Sequence, residues 1–175
     1  MDPFQQFAAW DEATVRRRAT GLDERAADPQ QVALRAGILA AARLRPGQVA
    51  VEVGCGTGPL LAGLADAVGP TGRVLGVEPQ PTLARIAARR LGGRAAVCLG
   101  TGAVLPVRSG IADVAVAQTV LLHVPRATLP GGCWPIRSPA AWSRSATPTA
   151  GATSSRPNPT SSALTYYRCT GTVPT

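Results

Sequence analysis

Three glycines at alternate positions, preceded by an acidic residue, form the group best suited to chemistry in this sequence. Gly54, Gly56 and Gly58 follow a short apolar run, and Glu52 lies near the end of that run. Glycines let the backbone turn sharply and let a flat ligand approach the main chain, because no Cβ stands in the way. A carboxylate in a buried strand needs a partner, because burying it unpaired is costly. The pattern predicts a ligand site on a strand, a glycine-rich turn and a helix.

A second acid is expected at the same site. Glu78 closes the next apolar run, at roughly the 20-residue spacing from the glycines that is typical of a ribose-binding acid in a βαβ unit. A carboxylate can accept two hydrogen bonds, which suits the two neighbouring hydroxyls of a ribose. The alternative is a solvated acid at a strand end, and the glycine turn upstream favours the ribose role.

Strands and helices that alternate along the chain must position these residues. Short apolar runs predict strands near 48–53, 73–78, 95–99 and 112–117. Helices are predicted at 4–19 with a break at Thr20-Gly21, from Asp28-Pro29 to about Leu44, at 60–65 and at 81–91. This alternation is typical of an α/β fold with a mostly parallel sheet.

The segment from Glu52 to Gly58 resembles the first motif of class I S-adenosylmethionine-dependent methyltransferases, and Glu78-Pro79 is similar to the acid that closes their second strand. The rival is the dinucleotide fingerprint G-x-G-x-x-G, which would place its third glycine at Pro59. The resemblance covers residues 48–125 and is closest to small-molecule methyltransferases with a type 11-like domain. It implies a three-layer Rossmann-like sandwich with a mostly parallel sheet, here truncated after the fourth strand.

The resemblance also implies S-adenosyl-L-methionine as cofactor and a small-molecule methyl acceptor. The loop at Thr101 departs from the family pattern, in which an acid stands there. His123, the only histidine, is expected to be an ordinary helix-end residue, so the catalytic residues are unknown. The implied cofactor-binding residues are Glu52, Gly54, Cys55, Gly56, Thr57, Gly58, Glu78, Pro79, Thr101, Gly102 and Gln118. A non-catalytic cofactor-binding remnant and a nicotinamide-dependent oxidoreductase are the alternatives.

Composition limits the other function classes. The chain has 175 residues and a net charge of +8, and all 18 basic residues are arginine. Five arginines and no acid fall within 126–175, without an aromatic stacking platform, which disfavours a specific nucleic-acid module. The four cysteines form no C-x-x-C pair, so no metal site is expected. Without an apolar run of roughly 18 residues, no membrane span is expected, and a cytoplasmic location is predicted.

The chain changes character after Pro125. Residues 1–125 are predicted to form the methyltransferase-like domain, with N-terminal helices in 1–45 and the cofactor-binding core in 48–125. Residues 126–175 are rich in Ser, Thr and Pro, lack acidic residues and show no sustained period. They are predicted to form an irregular, low-complexity tail, which would leave the fourth strand as a bare apolar edge.

A shift of reading frame near codons 125–132 is one explanation of this change. Codons started one base earlier permit an apolar helix end, a Pro-Gly-Gly turn and a β-branched strand. We expect the coding DNA, corrected by one base there, to encode a longer product that melts at a higher temperature than this chain. An early stop codon in the shifted frame would contradict the hypothesis.

Overall fold

A computed structural model describes residues 10–102, 105–108, 110–118 and 120, together with the backbone of two strands at 142–143 and 165–169. The helices are α1 (Glu12–Ala27), α2 (Pro29–Ala42), α3 (Pro59–Val68) and α4 (Pro81–Leu91). The strands are β1 (Val49–Val53), β2 (Arg73–Glu78), β3 (Ala96–Leu99), β4 (Val114–Ala117), β5 (Trp142–Ser143) and β6 (Thr165–Cys169). Within these residues, no helix is long and apolar enough to cross a membrane.

The sheet has the strand order β3-β2-β1-β4-β6-β5. The first four strands run parallel, with Glu52 of β1 opposite Gly76 of β2 and Val116 of β4. This parallel sheet, flanked by helices, confirms the predicted α/β class. The carboxyl ends of β1 and β2 lie side by side, so the turn after β1 and the acid that ends β2 meet at one edge of the sheet.

The expectation of a bare β4 edge is wrong. Strand β6 pairs with β4 in antiparallel register, with Ala115 opposite Tyr167, and β5 pairs with β6. A strand edge carries unpaired N–H and C=O groups that any strand can satisfy, and a segment 48 or more residues away along the chain supplies them here. The rest of 126–175, and His123, lie outside the described residues.

The first helix extends further than predicted. It begins at Glu12 and continues through Gly21 to Ala27, and the side chain of its N-cap residue, Asp11, accepts the N–H of Thr14 at 2.8 Å. A glycine inside a helix costs only about 1 kcal/mol, and a methyl group at Gly21 would meet nothing within 4 Å. The helix ends instead at Asp28, whose carboxylate caps α2 by accepting the N–H of Gln30 at 2.8 Å. The predicted first turns, residues 4–9, lie outside the described part.

Side chains alternate between the two faces of the sheet and divide the core in two. On one face, Ala50, Val74 and Val116 pack under α2, α3 and α4. On the other, Val51, Val77 and Ala115 pack against Leu105, Val107 and Val120 from the segments around β4. By this alternation, Glu52, Gly76 and Glu78 belong to the helix-covered face. Helix α1 packs on α4 through Val15, Ala19 and Leu83.

Gly76 has no room for a side chain, because a Cβ there would lie 2.8 Å from Cys55 Sγ and 2.7 Å from Leu61 Cδ1. We expect Gly76→Ala to lower the free energy of unfolding by roughly 1–3 kcal/mol through overpacking. Gly37→Ala, inside α2 where a Cβ meets nothing within 4 Å, is the control and should raise it by roughly 0.5–1 kcal/mol. Urea denaturation of both variants measures the difference, and equal stabilities would contradict this packing.

Candidate functional site

A cavity lies at the carboxyl end of β1, between the glycine turn and the first two helices. Six of the predicted residues line it: Glu52, Gly54, Cys55, Gly56, Thr57 and Gln118. The facing wall comes from Leu22, Arg25 and Ala26 of α1 and from Gln31 and Arg35 of α2. Sequence reasoning missed this wall, because no local signal in two amphipathic helices shows which face meets a ligand.

The glycine turn is fixed by backbone hydrogen bonds to β2. The N–H groups of Gly54 and Cys55 both donate to the carbonyl of Val77, at 2.7 and 3.2 Å. Gly58 then adopts φ +86° and begins α3, with Pro59 as the first helical residue. Proline suits that position because its missing N–H has no partner in a helix anyway. The conformation of the turn is thus fixed by the protein's own hydrogen bonds.

The three glycines are required for two different reasons. A Cβ on Gly54 would collide with Val120, and one on Gly58 would lie 3.2 Å from Ala87 Cβ on α4. Of the three, only Gly56, at φ +55°, faces open space, because among the described residues a Cβ there would meet nothing nearer than Leu22 at 3.8 Å. Gly54 and Gly58 therefore allow close packing, and Gly56 is the position at which a ligand can approach the backbone.

Glu78 lies under this turn with only 5% of its surface exposed. Its Oε2 accepts the N–H of Gly56 at 2.9 Å, and its Oε1 accepts the N–H of Gln80 at 3.0 Å. Burial raises the pKa of Glu78, while these two hydrogen bonds act in the opposite direction. Each carboxylate oxygen has a second lone pair, so the group can still accept hydrogen bonds from a ligand.

Glu52 is the unusual carboxyl of the site. It is 3% exposed, and within the described part of the chain its Oε2 has no hydrogen-bond partner. Burial raises the pKa of Glu52 well above its ordinary value, and the nearby charge of Glu78 raises it further. The charge of Arg35 and the N–H of Leu61, in the first turn of α3, lower it. An unpartnered buried oxygen on a cavity wall is a position where a ligand can supply the missing donor.

Two residues of the predicted motif direct their side chains elsewhere. The hydroxyl of Thr57, a residue only 1% exposed, donates to Asp23 Oδ1 of α1 at 2.6 Å. The Cys55 thiol lies against Gly76 in the core, where burial raises its pKa. Their backbones still border the cavity, so cofactor contact through the main chain stays a prediction for both.

The other predicted residues lie around the same sheet edge. The N–H of Gly100, just before Thr101 and Gly102, donates to the carbonyl of Glu78 at 3.2 Å. Pro79 follows Glu78 directly and is half-buried. Gln118, beyond the end of β4, donates to Gln31 Oε1 of α2 at 3.3 Å across the cavity. The fold thus gathers the predicted residues at one edge, although only six of them line the cavity itself.

Comparison with known proteins agrees with this geometry. Residues 50–133 match the family model described as "Methyltransferase domain". An S-adenosylmethionine-dependent methyltransferase from Aquifex aeolicus superposes with a TM-score of 0.59 at 18% identity, over 76% of this chain and 70% of that chain. A putative S-adenosylmethionine-dependent methyltransferase from Methanococcus maripaludis superposes with a TM-score of 0.59 at 16% identity, over 71% of this chain and 59% of that chain. A TehB-like methyltransferase from Corynebacterium glutamicum superposes with a TM-score of 0.55 at 20% identity, over 67% of this chain and 62% of that chain.

This is the class I methyltransferase fold. The predicted resemblance to S-adenosylmethionine-dependent methyltransferases is confirmed. The family match extends eight residues beyond Pro125 and ends within the region where the composition changes. The reading-frame hypothesis stays a prediction.

One curated protein is similar in sequence. It is described as an uncharacterized 37.1 kDa protein in transposon TN4556 of Streptomyces fradiae, and it is 35% identical over 115 residues. The aligned part is 65% of this chain and 33% of that protein. The methyltransferase-like chain therefore spans about a third of the length of this relative.

Glu52→Gln tests the buried carboxyl through the pH dependence of stability. Because its pKa is raised on folding, Glu52 favours the folded state below its unfolded pKa of about 4.3, and this contribution is lost as pH rises towards the folded pKa. The wild type should therefore lose stability between about pH 5 and about pH 8, and Glu52→Gln should not. We expect the free energy of unfolding of Glu52→Gln, minus that of the wild type, to increase over this range.

Glu12→Gln is the matched control. Glu12 is exposed on α1, and its hydrogen bond to Arg16 lowers its pKa, so its contribution is complete above the unfolded pKa. The difference in free energy of unfolding between Glu12→Gln and the wild type should stay constant between the same two pH values. Urea denaturation at both values measures the two differences. A constant difference for Glu52→Gln as well would contradict the raised pKa.

Proposed function

We propose that this chain is an S-adenosylmethionine-dependent methyltransferase that acts on a small-molecule acceptor. The observation that carries the proposal is the buried Oε2 of Glu52, which has no hydrogen-bond partner among the described residues and belongs to a residue that lines the cavity beside the open backbone of Gly56. Such an oxygen can accept a hydrogen bond from a positively charged donor, and S-adenosylmethionine carries one in its ammonium group. The residues present therefore fit this cofactor.

When bound, the cofactor supplies a methyl group on a sulfonium, which a nucleophilic atom of the acceptor can displace in line. The work left to the chain is to bind, orient and exclude water. Glu52 would hold the positively charged end, and Glu78 would receive the ribose hydroxyls while its hydrogen bond to Gly56 keeps the turn in place. Gly56 provides the close approach that a side chain would prevent.

The rival nicotinamide chemistry has less support at this site. In the dinucleotide fingerprint the third glycine serves close packing of helix and strand. Here Pro59 stands at that position, and Gly58 makes the close contact, with Ala87 of α4. Titration with NAD beside S-adenosylmethionine separates the two cofactors.

A small-molecule acceptor and a cytoplasmic location are parts of the same proposal. The excess of arginine after Pro125 lacks aromatic partners, which argues against a specific nucleic-acid substrate. A second candidate is a cofactor-binding protein without catalytic activity, favoured by the change of composition after the family-like region. A screen of small methyl acceptors with the full chain, with methyl transfer as the readout, decides between the two.

Gly56→Val tests the cofactor assignment. A valine side chain would occupy the open space in front of the turn, so we expect affinity for S-adenosylmethionine to fall by at least about 100-fold. Gly92→Val is the matched control, because Gly92 also has φ +55° and open surroundings but caps α4 outside the cavity. It carries the same backbone strain and should bind as the wild type does.

Isothermal titration with S-adenosylmethionine and S-adenosylhomocysteine gives both affinities. Equal binding by the Gly56→Val and wild-type chains would remove the basis for the assignment. A loss of equal size in Gly92→Val would attribute the effect to strain instead.

A further inference from the structure

A three-way polar junction joins α1, the glycine turn and α4. Asp23 of α1 accepts the hydroxyl of Thr57 at 2.6 Å through Oδ1. The guanidinium of Arg90 on α4 donates to Oδ1 and Oδ2 of Asp23, at 2.9 and 2.6 Å. Arg90 Nη1 also donates to the carbonyl of Thr57 at 3.0 Å. Each of the three residues is therefore bonded to both of the others.

The junction combines a buried anchor with an accessible ion pair. Thr57 is 1% exposed, whereas the side chains of Asp23 and Arg90 are 38% and 37% exposed. The hydrogen bond from Arg90 is the main cause of the lowered pKa of Asp23; burial opposes it, and the hydrogen bond from Thr57 lowers the pKa further. The carboxylate is thus charged at neutral pH, and bonds to a charged group are stronger than neutral ones.

The junction lies beside the part of α1 that borders the cavity. Leu22, Arg25 and Ala26 form the α1 side of the cavity, and Leu22 is the nearest neighbour of the open position at Gly56. The apolar contacts of α1, through Val15 and Ala19, lie towards its other end. The carboxyl end of α1 is held by the Asp23 junction and by Arg35, which donates to the carbonyl of Ala26.

We propose that Asp23 is a positioning residue, which with Arg90 holds the carboxyl end of α1 as the outer wall of the cofactor cavity and so sets how long the cofactor stays bound. It acts through Thr57 and through the placement of Leu22, without contacting the reacting atoms. The inference rests on the proposed function for the identity of the ligand. Its structural part, the fixing of α1 to the turn, does not depend on that identity.

A second ion pair supplies the matched control. Arg94, just beyond α4, pairs with Asp66 of α3 and also donates to the carbonyl of Ala62 at 3.3 Å. The pair joins neighbouring helices as the Asp23 pair does, but its residues are absent from the cavity wall. Asp66→Asn therefore removes a charge pair, more exposed than the Asp23 pair, without touching α1 or the turn.

The first experiment needs no ligand. Hydrogen–deuterium exchange is measured on the full chain for the wild type, Asp23→Asn and Asp66→Asn. We expect exchange over residues 20–27 to accelerate by roughly three- to tenfold in Asp23→Asn only, because a charge-assisted bond is lost. Unchanged exchange there, or the same acceleration in Asp66→Asn, would overturn the junction as the device that holds α1.

The second experiment measures the dissociation rate of S-adenosylmethionine by stopped flow. We expect Asp23→Asn to raise it by roughly three- to tenfold and Asp66→Asn to leave it unchanged. The double variant Asp23→Asn, Arg90→Gln should be no faster than the single one, because the two residues act as a unit. Equal rates in the wild type and Asp23→Asn would overturn the positioning role. If the wild type binds no cofactor, the proposed function is wrong, and the hydrogen–deuterium exchange result still tests whether the junction holds α1.

Discussion

The hydrogen bond from the backbone N–H of Gly56 to Glu78 is the interaction on which the site depends. It joins the end of β2 to the middle of the turn after β1, at 2.9 Å. The same turn makes two further hydrogen bonds, in which the N–H groups of Gly54 and Cys55 donate to the carbonyl of Val77. Because a glycine-rich turn has many accessible conformations, these bonds select one of them. The start of α3, the open face of Gly56 and the cavity all follow from that selection.

Placing Glu78 there imposes an electrostatic cost on its neighbour. Glu52 lies on the adjacent strand, on the same helix-covered face, and the charge of Glu78 contributes to the raised pKa of Glu52. Glu78 accepts hydrogen bonds from two backbone donors, whereas one oxygen of Glu52 has no donor within the part of the chain that the structure describes. A fold gains nothing in stability from that arrangement, and unsatisfied buried groups of this kind concentrate at ligand sites. The asymmetry between the two carboxyls is therefore more informative than the presence of two acids.

The wall opposite the turn depends on long-range polar contacts. Asp23 reaches Thr57 and Arg90, and Gln31 reaches Gln118, each across a large separation in the chain. These bonds link the first two helices to the turn and to the segment after β4. Without them, the apolar contacts of α1 would attach that helix to α4 alone.

The sequence by itself determined the four parallel strands and the helix that follows the second of them, because their signals are local. The strand run 73–78 and the helix run 81–91 each carry their own periodicity, and the structure reproduces both ranges. It also determined that Glu52, Glu78 and the glycines meet, because parallel strands of βαβ units end at one edge of a sheet. Only the tertiary structure decided that Gly56 alone among the three glycines is open, that Thr57 bonds to Asp23, and that β6 covers β4. Each of these depends on a partner tens of residues away, and no local propensity encodes which partner that will be.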